Sequence, residues 1–489
     1  MAKALERKTP KEASLVLTGL GNYHYERNEI DRSIEAYREA VNLDAKNADA
    51  KFGLSDALAS KGSVLLEDDK TKEARRLFDE AIELNDKNSI AYSGLGEIYD
   101  AVDENEKAIA NYEKALVLNS DLSELYAPLG ILYYQMNEVA KADEFLSKAL
   151  AADANDAATQ YFLGMARYKQ NRYEEARVAL TQSIKLDPAM PEAHLTLGEV
   201  LDKLDRQTEA VAEYQTAARL KPNYVDAWFN LGAAYSEQEK YEEAIAAYKK
   251  TIELKNDSGA AHANLADAYR QLRKYAEAEG AYNLAAIFIK DDAELYSNWG
   301  FCLGKLQKWD NAVARLNQAI ALSADHIDYT NLGWAYYNAA QIDLRSKRAD
   351  AARAKLLSAK TALQKATAMN ENFAPANLNL GITLNDLGEY QAAIVVLKRA
   401  ADARKNWLFA INELGIAYRK SNDLENAVKQ FQKAVELNDK YAVGYFNLGE
   451  AQFRRGNVKE AKKAHAQLKK LNVNMANALE IMMLGATLK

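Results

Sequence analysis

Trp228-Phe229-Asn230-Leu231-Gly232-Ala233-Ala234-Tyr235, followed by Ala244, Tyr248 and Leu254, is the stretch that decides the fold of this 489-residue chain. Leu231 and Tyr235 sit at i and i+4, on one face of a helix. Gly232 lies between them, inside the helix, where glycine costs roughly 1 kcal/mol relative to alanine and therefore needs a packing reason. The reason recurs. Eleven of the 22 glycines fall at this phase of a 34-residue period: Gly21, Gly96, Gly130, Gly164, Gly198, Gly232, Gly300, Gly333, Gly381, Gly415 and Gly449, with Ser55 and Ala266 taking the place in two further copies. A period of this length means helix pairs that bury their faces on neighbouring pairs rather than one large globule.

A small residue also recurs in the second helix of each pair. It is Ser33, then Ala74, Ala108, Ala142, Ala176, Ala210, Ala244, Ala278, Ala312, Ala359, Ala393, Ala427 and Ala461. Gly on one helix and Ala on the other let two backbones approach closely at their crossing. Trp228, Leu231, Gly232, Tyr235, Ala244 and Tyr248 together resemble the tetratricopeptide-repeat (TPR) family. The resemblance runs from about Ser14 to Met475 as thirteen copies, beginning near Ser14, Ala48, Ser89, Ser123, Ala157, Pro191, Val225, Gly259, Ala293, His326, Ala374, Leu408 and Ala442. It implies an all-α fold: a right-handed TPR solenoid or superhelix of about 13 helix-turn-helix repeats plus a C-terminal capping helix. The expected organisation is a polar tail over 1–13, the solenoid over 14–475 and the cap over 476–489.

The period breaks twice. From Ser55 to Ala74 the spacing is seven residues longer than standard, and from Gly333 to Ala359 it is fourteen longer. These are close to two and four helical turns, so helices can lengthen without rotating their apolar faces. Elongated hairpins are expected in repeat two (48–88) and repeat ten (326–373), with tips near Asp68–Asp69 and Lys347–Arg348. The second tip is basic, with Arg345, Lys347, Arg348, Arg353 and Lys355 against Asp343 and Asp350. It reads as a docking arm for an acidic partner or as a solvated helix end.

The net charge of −7 gives no general attraction to nucleic acid or anionic membranes. No apolar run approaches the roughly 18–20 residues that span a bilayer, and residues 1–14 hold no signal-peptide core. The expectation is a cytoplasmic protein, or a periplasmic one if a leader or anchor has been removed. The single Cys302 excludes an internal disulfide. His24, His194, His262 and His465 stand where other copies carry aromatic or Leu side chains, so they read as structural substitutes. No phosphate-cradling loop and no histidine pair at zinc spacing is present. No enzyme activity, cofactor or metal is therefore expected.

Two residues before the glycine phase stand Asn230, Asn264, Asn298, Asn331, Asn379 and Asn447, with Glu413 in repeat twelve. An amide at each repeat offers a donor and an acceptor at every step, which suits an extended peptide backbone. The row resembles the asparagine ladder in the TPR superhelix of the O-linked N-acetylglucosamine transferase family, and the resemblance implies main-chain recognition of client polypeptides. Phe229, Phe301, Trp334, Ile382, Ile416 and Phe446 flank the row. They would line an apolar channel or pack between repeats, and both roles stay open. Before the Asn position no repeat carries Lys or Arg, so the carboxylate clamp of heat-shock co-chaperones is absent. The leading expectation is a non-enzymatic scaffold or adaptor that binds extended segments of protein partners in its concave groove and organises a multiprotein complex. Alternatives are a self-assembling structural protein, hence a homo-oligomer, or the substrate-recruiting subunit of an enzyme on a separate chain. Nucleic acid and membrane insertion are not expected.

Overall fold

The computed structural model describes residues 9–487, with side chains through Leu484. Among them are 27 α-helices, one short 3-10 turn at Ser123–Leu125 and no strand. The helices form thirteen consecutive antiparallel hairpins followed by a last helix, Val473–Thr487. The fold is the all-α TPR solenoid. Two compact units divide the chain, Met1–Ala234 and Tyr235–Lys489, with the boundary inside the helix Val225–Glu237.

Packing follows the glycine phase. In most hairpins of standard length, the second helix carries, sixteen residues after the glycine, a large side chain that faces it. Tyr112 faces Gly96, Tyr214 faces Gly198, Leu316 faces Gly300 and Phe431 faces Gly415, each so close that a Cβ on the glycine would overlap it. Tyr214, Tyr282, Phe78 and Phe431 are among the largest fully buried side chains of the molecule. Such close-packed contacts tolerate neither added nor removed volume.

The first described helix begins four residues before Ser14. Thr9 caps the helix Pro10–Glu26 in a reciprocal box: the Glu12 N–H donates to Thr9 Oγ1 at 3.3 Å, and the Thr9 N–H donates to Glu12 Oε2 at 2.9 Å. Of the expected tail over 1–13, residues 10–13 are thus helical, and 1–8 lie outside the described residues. The last helix begins at Val473, three residues before 476. Its Leu479 fills the space above Gly449 and is fully buried with Leu468 and Ala476. Residues 488–489 lie outside the described residues.

Repeat two is not a projecting hairpin. Only its first helix, Ala48–Glu67, is long at 20 residues; its second, Thr71–Leu84, has the usual 14. Gly53 faces Tyr37 of the preceding helix, while Gly62 faces Phe78 of the following one. Ser55 Oγ donates to the Ala81 carbonyl at 2.7 Å, just as Ser14 Oγ donates to Ala40 at 2.8 Å. Gly62, then, takes the glycine role toward Phe78. Seven extra residues place two turns of one helix along both neighbours in succession, which absorbs them inside the stack.

Repeat ten is lengthened on both sides of its turn. Both His326–Arg345 and Ala349–Met369 are lengthened, to 20 and 21 residues. The added turns pack through Ala340, Ala352 and Leu356, with Tyr337 and Leu387 beside them. Asp343, 2% exposed, receives Arg348 Nη2 at 2.6 Å and Lys355 Nζ at 3.1 Å and so pins one helix to the other.

Each hairpin turn places one residue in the left-handed region, and several of them are not glycine, among them Glu239, Arg273, Gln307 and Lys347 at φ 57–59°. Around Arg273 the bonds are those of a Schellman cap: the Lys274 N–H donates to Tyr269 and the Arg273 N–H to Arg270, both at 2.9 Å. An L-residue with a long side chain is disfavoured there by roughly 1–2 kcal/mol. Replacing Arg273 with Gly should raise stability by about 0.5–1 kcal/mol, part of the gain being offset by the freer unfolded chain. A urea midpoint that fails to rise would contradict this reading.

Candidate functional site

The asparagine row follows the seam between successive first helices. Asn230 Nδ2 donates to Glu199 Oε1 at 3.2 Å, and Asn298 Nδ2 donates to Asp267 Oδ1 at 3.1 Å. In both cases the carboxylate stands one residue after the glycine phase of the preceding repeat. Asn264 stands by the Tyr248 hydroxyl and works against the rise that burial gives it. Asn331 and Asn379 are half-buried and make no side-chain hydrogen bond among the described residues. Asn447 is different: it is 5% exposed and donates to Asn412 Oδ1 at 3.0 Å, so its amide belongs to the interior and is not presented to a ligand.

The flanking apolar side chains are all half-buried. Phe301 lies edge-on to Tyr275 and tilted on Trp334, with centroids 6.3 Å apart in both pairs. Trp334 meets Trp309 edge-on at 5.1 Å, and the Lys305 ammonium lies about 5 Å from both the Phe301 and Trp334 rings. Ile382 and Ile416 pack against the core of repeats ten to thirteen, and Phe446 against that of the last helix. These residues hold repeat to repeat and expose only part of their surface. Phe229 is likewise half-buried.

Carboxylates, which the reading of the sequence passed over, are as prominent as the amides. Glu199 and Asp202 follow Gly198 by one and four residues, and Glu97 and Asp100 follow Gly96 identically. Burial raises all four above the ordinary carboxylate range; Glu67 and Asp100 add to it at Glu97. Asp202 also accepts from the buried Tyr214 hydroxyl at 2.6 Å, as Asp267 does from Tyr282 at 2.6 Å. Aligning the repeats on the glycine would have revealed this acidic register.

Repeats twelve and thirteen hold a buried polar group of residues. Burial raises Glu413, which stands at the asparagine position, against the opposing Asn385 and Asn412 amides. Arg419 pairs with Glu450, which also takes Arg454 at 2.8 Å; burial lowers the Arg419 guanidinium to about 10.

Two of the histidines bond the backbone of the preceding loop. His194 Nε2 donates to the Pro188 carbonyl and His262 Nε2 to that of Asn256, six residues back, at 3.2 and 3.1 Å. Trp228 Nε1 makes the same bond to Pro222 at 3.0 Å and Asn377 Nδ2 to Glu371 at 2.7 Å. A donor at this position therefore closes the loop between hairpins. Cys302 is fully buried, and burial pushes its thiol up to about 12, far from a reactive thiolate. No helix among the described residues is long and apolar enough to cross a membrane.

Models of the tetratricopeptide repeat match residues 225–258, 60–123 and 374–406, and a TPR-repeat model matches 21–62, 164–205, 203–239 and 415–456. Together they span more than half of the chain. Among solved structures, the chain is similar to YrrB, described as a TPR protein with an unusual peptide-binding site: 28% identity, 38% of this chain and 95% of that one covered, TM-score 0.35. It is similar to MamA at 26% identity, covering 35% and 94%, TM-score 0.33. The APC/C hetero-tetramer Cut9–Hcn1 aligns over 96% of both chains at 14% identity and TM-score 0.39. No curated protein is matched.

Proposed function

The chain belongs to the tetratricopeptide-repeat family, and on that premise we propose that it is a scaffold that binds an extended segment of a partner protein along its first helices. The observation that carries this reading is the amide row at one-repeat spacing. At Asn230 and Asn298 the Nδ2 donors are committed to carboxylates, which orients each Oδ1 as an acceptor; Asn331 and Asn379 keep both ends. An extended backbone supplies N–H and C=O groups at regular steps and suits such a row. Specificity would come from the exposed parts of Phe301, Trp334, Ile382 and Ile416. Groups held in place before binding lose little freedom on association, so modest contacts sum efficiently.

The test uses a randomised peptide array and measures the affinity of the peptides it selects. Joint replacement of Asn331 and Asn379 by Ala removes two bonds worth about 0.5–1.5 kcal/mol each, so affinity should fall roughly 5- to 150-fold. N-methylation of single peptide bonds should weaken binding at positions one repeat apart. Affinity unchanged by both changes would remove the amide row from the account.

A further inference from the structure

The two units carry opposite charge. Residues 1–234 hold 28 Lys and Arg against 41 Asp and Glu, whereas residues 235–489 hold 35 against 29. Within each, one feature concentrates the excess.

In the second unit it is the arm of repeat ten. Asp343 consumes Arg348 and Lys355, but Arg345, Lys347 and Arg353 are exposed and form no ion pair among the described residues. Ile342, Leu344 and Leu357 are 41–45% exposed beside them. The solenoid does not need these turns for its own packing, since the other second-unit hairpins close without them. The buried Asp343 clamp keeps the arm rigid, which lowers the cost of docking it.

In the first unit it is the surface around the turns of repeats two and three. Glu97 and Asp100 lie one turn apart on the helix Ser89–Asp100, exposed Asp103 follows in the turn and exposed Glu67 ends the helix Ala48–Glu67. Burial raises Glu97 and Asp100, with Glu67 and Asp100 adding to it at Glu97 and Asp103 at Asp100, and none of the four forms an ion pair among the described residues. Val64 and Val102 are 54% and 56% exposed beside them. Four uncompensated carboxylates around two exposed valines mirror three uncompensated cations around exposed Ile and Leu.

We infer that the repeat-ten arm of one molecule docks on the Glu67–Asp103 surface of a second copy of this chain. The occupant is a second copy because both complementary surfaces are carried by one sequence and are present in equal number. The contact joins different surfaces, so association is head-to-tail and grows with concentration instead of stopping at a closed pair by necessity. The reading is independent of the amide row, which lies on other residues.

Sedimentation velocity over a concentration series, at about 0.05 M and about 0.5 M salt, tests it. Wild type should associate at low salt and dissociate at high salt. The triple change Arg345→Glu, Lys347→Glu and Arg353→Glu should move association to at least about tenfold higher concentration, as should Glu97→Lys with Asp100→Lys. Mixing the two variants should restore association, because each then offers the charge the other lost. Far-UV circular dichroism establishes that both variants fold, and if the lysine pair does not, Glu97→Gln with Asp100→Asn replaces it in the single-variant comparison. A wild type that stays monomeric throughout, an arm variant that associates like wild type, or a mixture of folded variants that remains monomeric would each overturn the proposal.

Discussion

Replacing Phe78 with alanine should destabilise the first unit by about 3–5 kcal/mol, the range for emptying a fully buried aromatic site. The ring is 0% exposed. It stands between two glycines, Gly62 of its own hairpin and Gly94 of the next, and a Cβ on either would overlap it. One side chain thus joins the two helices of repeat two and joins repeat two to repeat three. In a stack whose stability sums repeat and interface terms, losing such a contact weakens two terms together. The reciprocal change makes the prediction sharper. Gly94→Ala should cost about 1–3 kcal/mol in the wild type, because the methyl overpacks a ring that has nowhere to move. In the Phe78→Ala background the same methyl enters an empty space and should cost little. The double-mutant cycle, read from urea unfolding, should therefore show strong coupling. Additive costs, or a loss under about 1 kcal/mol for Phe78→Ala, would mean the glycine and the ring do not form one contact.

Most of this fold was legible in the sequence, because helix pairs need one close crossing each and a glycine marks it. Gly96, Gly198, Gly300 and Gly415 all face the side chain sixteen residues on. The same logic misplaced repeat two. Ser55 and Gly62 are seven residues apart, so they lie on one helical stripe, and the spacing alone does not say which belongs to which neighbour. The start at Pro10 was written in Thr9 and Glu12, a capping box that counting repeats overlooks. The site was less legible, for a physical reason. Asn230 and Asn447 share one register, yet the first donates to Glu199 on the seam and the second to Asn412 in the interior. What differs is the partner some 31 to 35 residues earlier and the packing around it, neither of which periodicity reports. Trp334 likewise could line a channel or brace a repeat; it packs on Trp309 and Gly304 and still leaves part of its ring exposed.

Removing the Glu450 carboxylate should cost the second unit about 3–5 kcal/mol, because it strands a buried cation. Glu450 and Arg419 are each 11% exposed at the side chain, and burial together with Arg454 lowers the Arg419 guanidinium to about 10. With Glu450→Ala, Arg419 keeps its desolvation and its repulsion from Arg454 but loses its direct partner. The two members of the pair are not equivalent, however. Arg454 is 57% exposed and also bonds Glu450, so Arg419→Met leaves the carboxylate with a cation still in contact. Arg419→Met should therefore cost clearly less than Glu450→Ala. Adding Arg419→Met to Glu450→Ala should recover most of the loss, since an apolar side chain of similar length replaces a charge that has no partner. Urea midpoints of the three variants decide this. Equal costs for the two single changes, or no recovery in the double variant, would mean that lost packing rather than the stranded charge sets the stability of repeats twelve and thirteen.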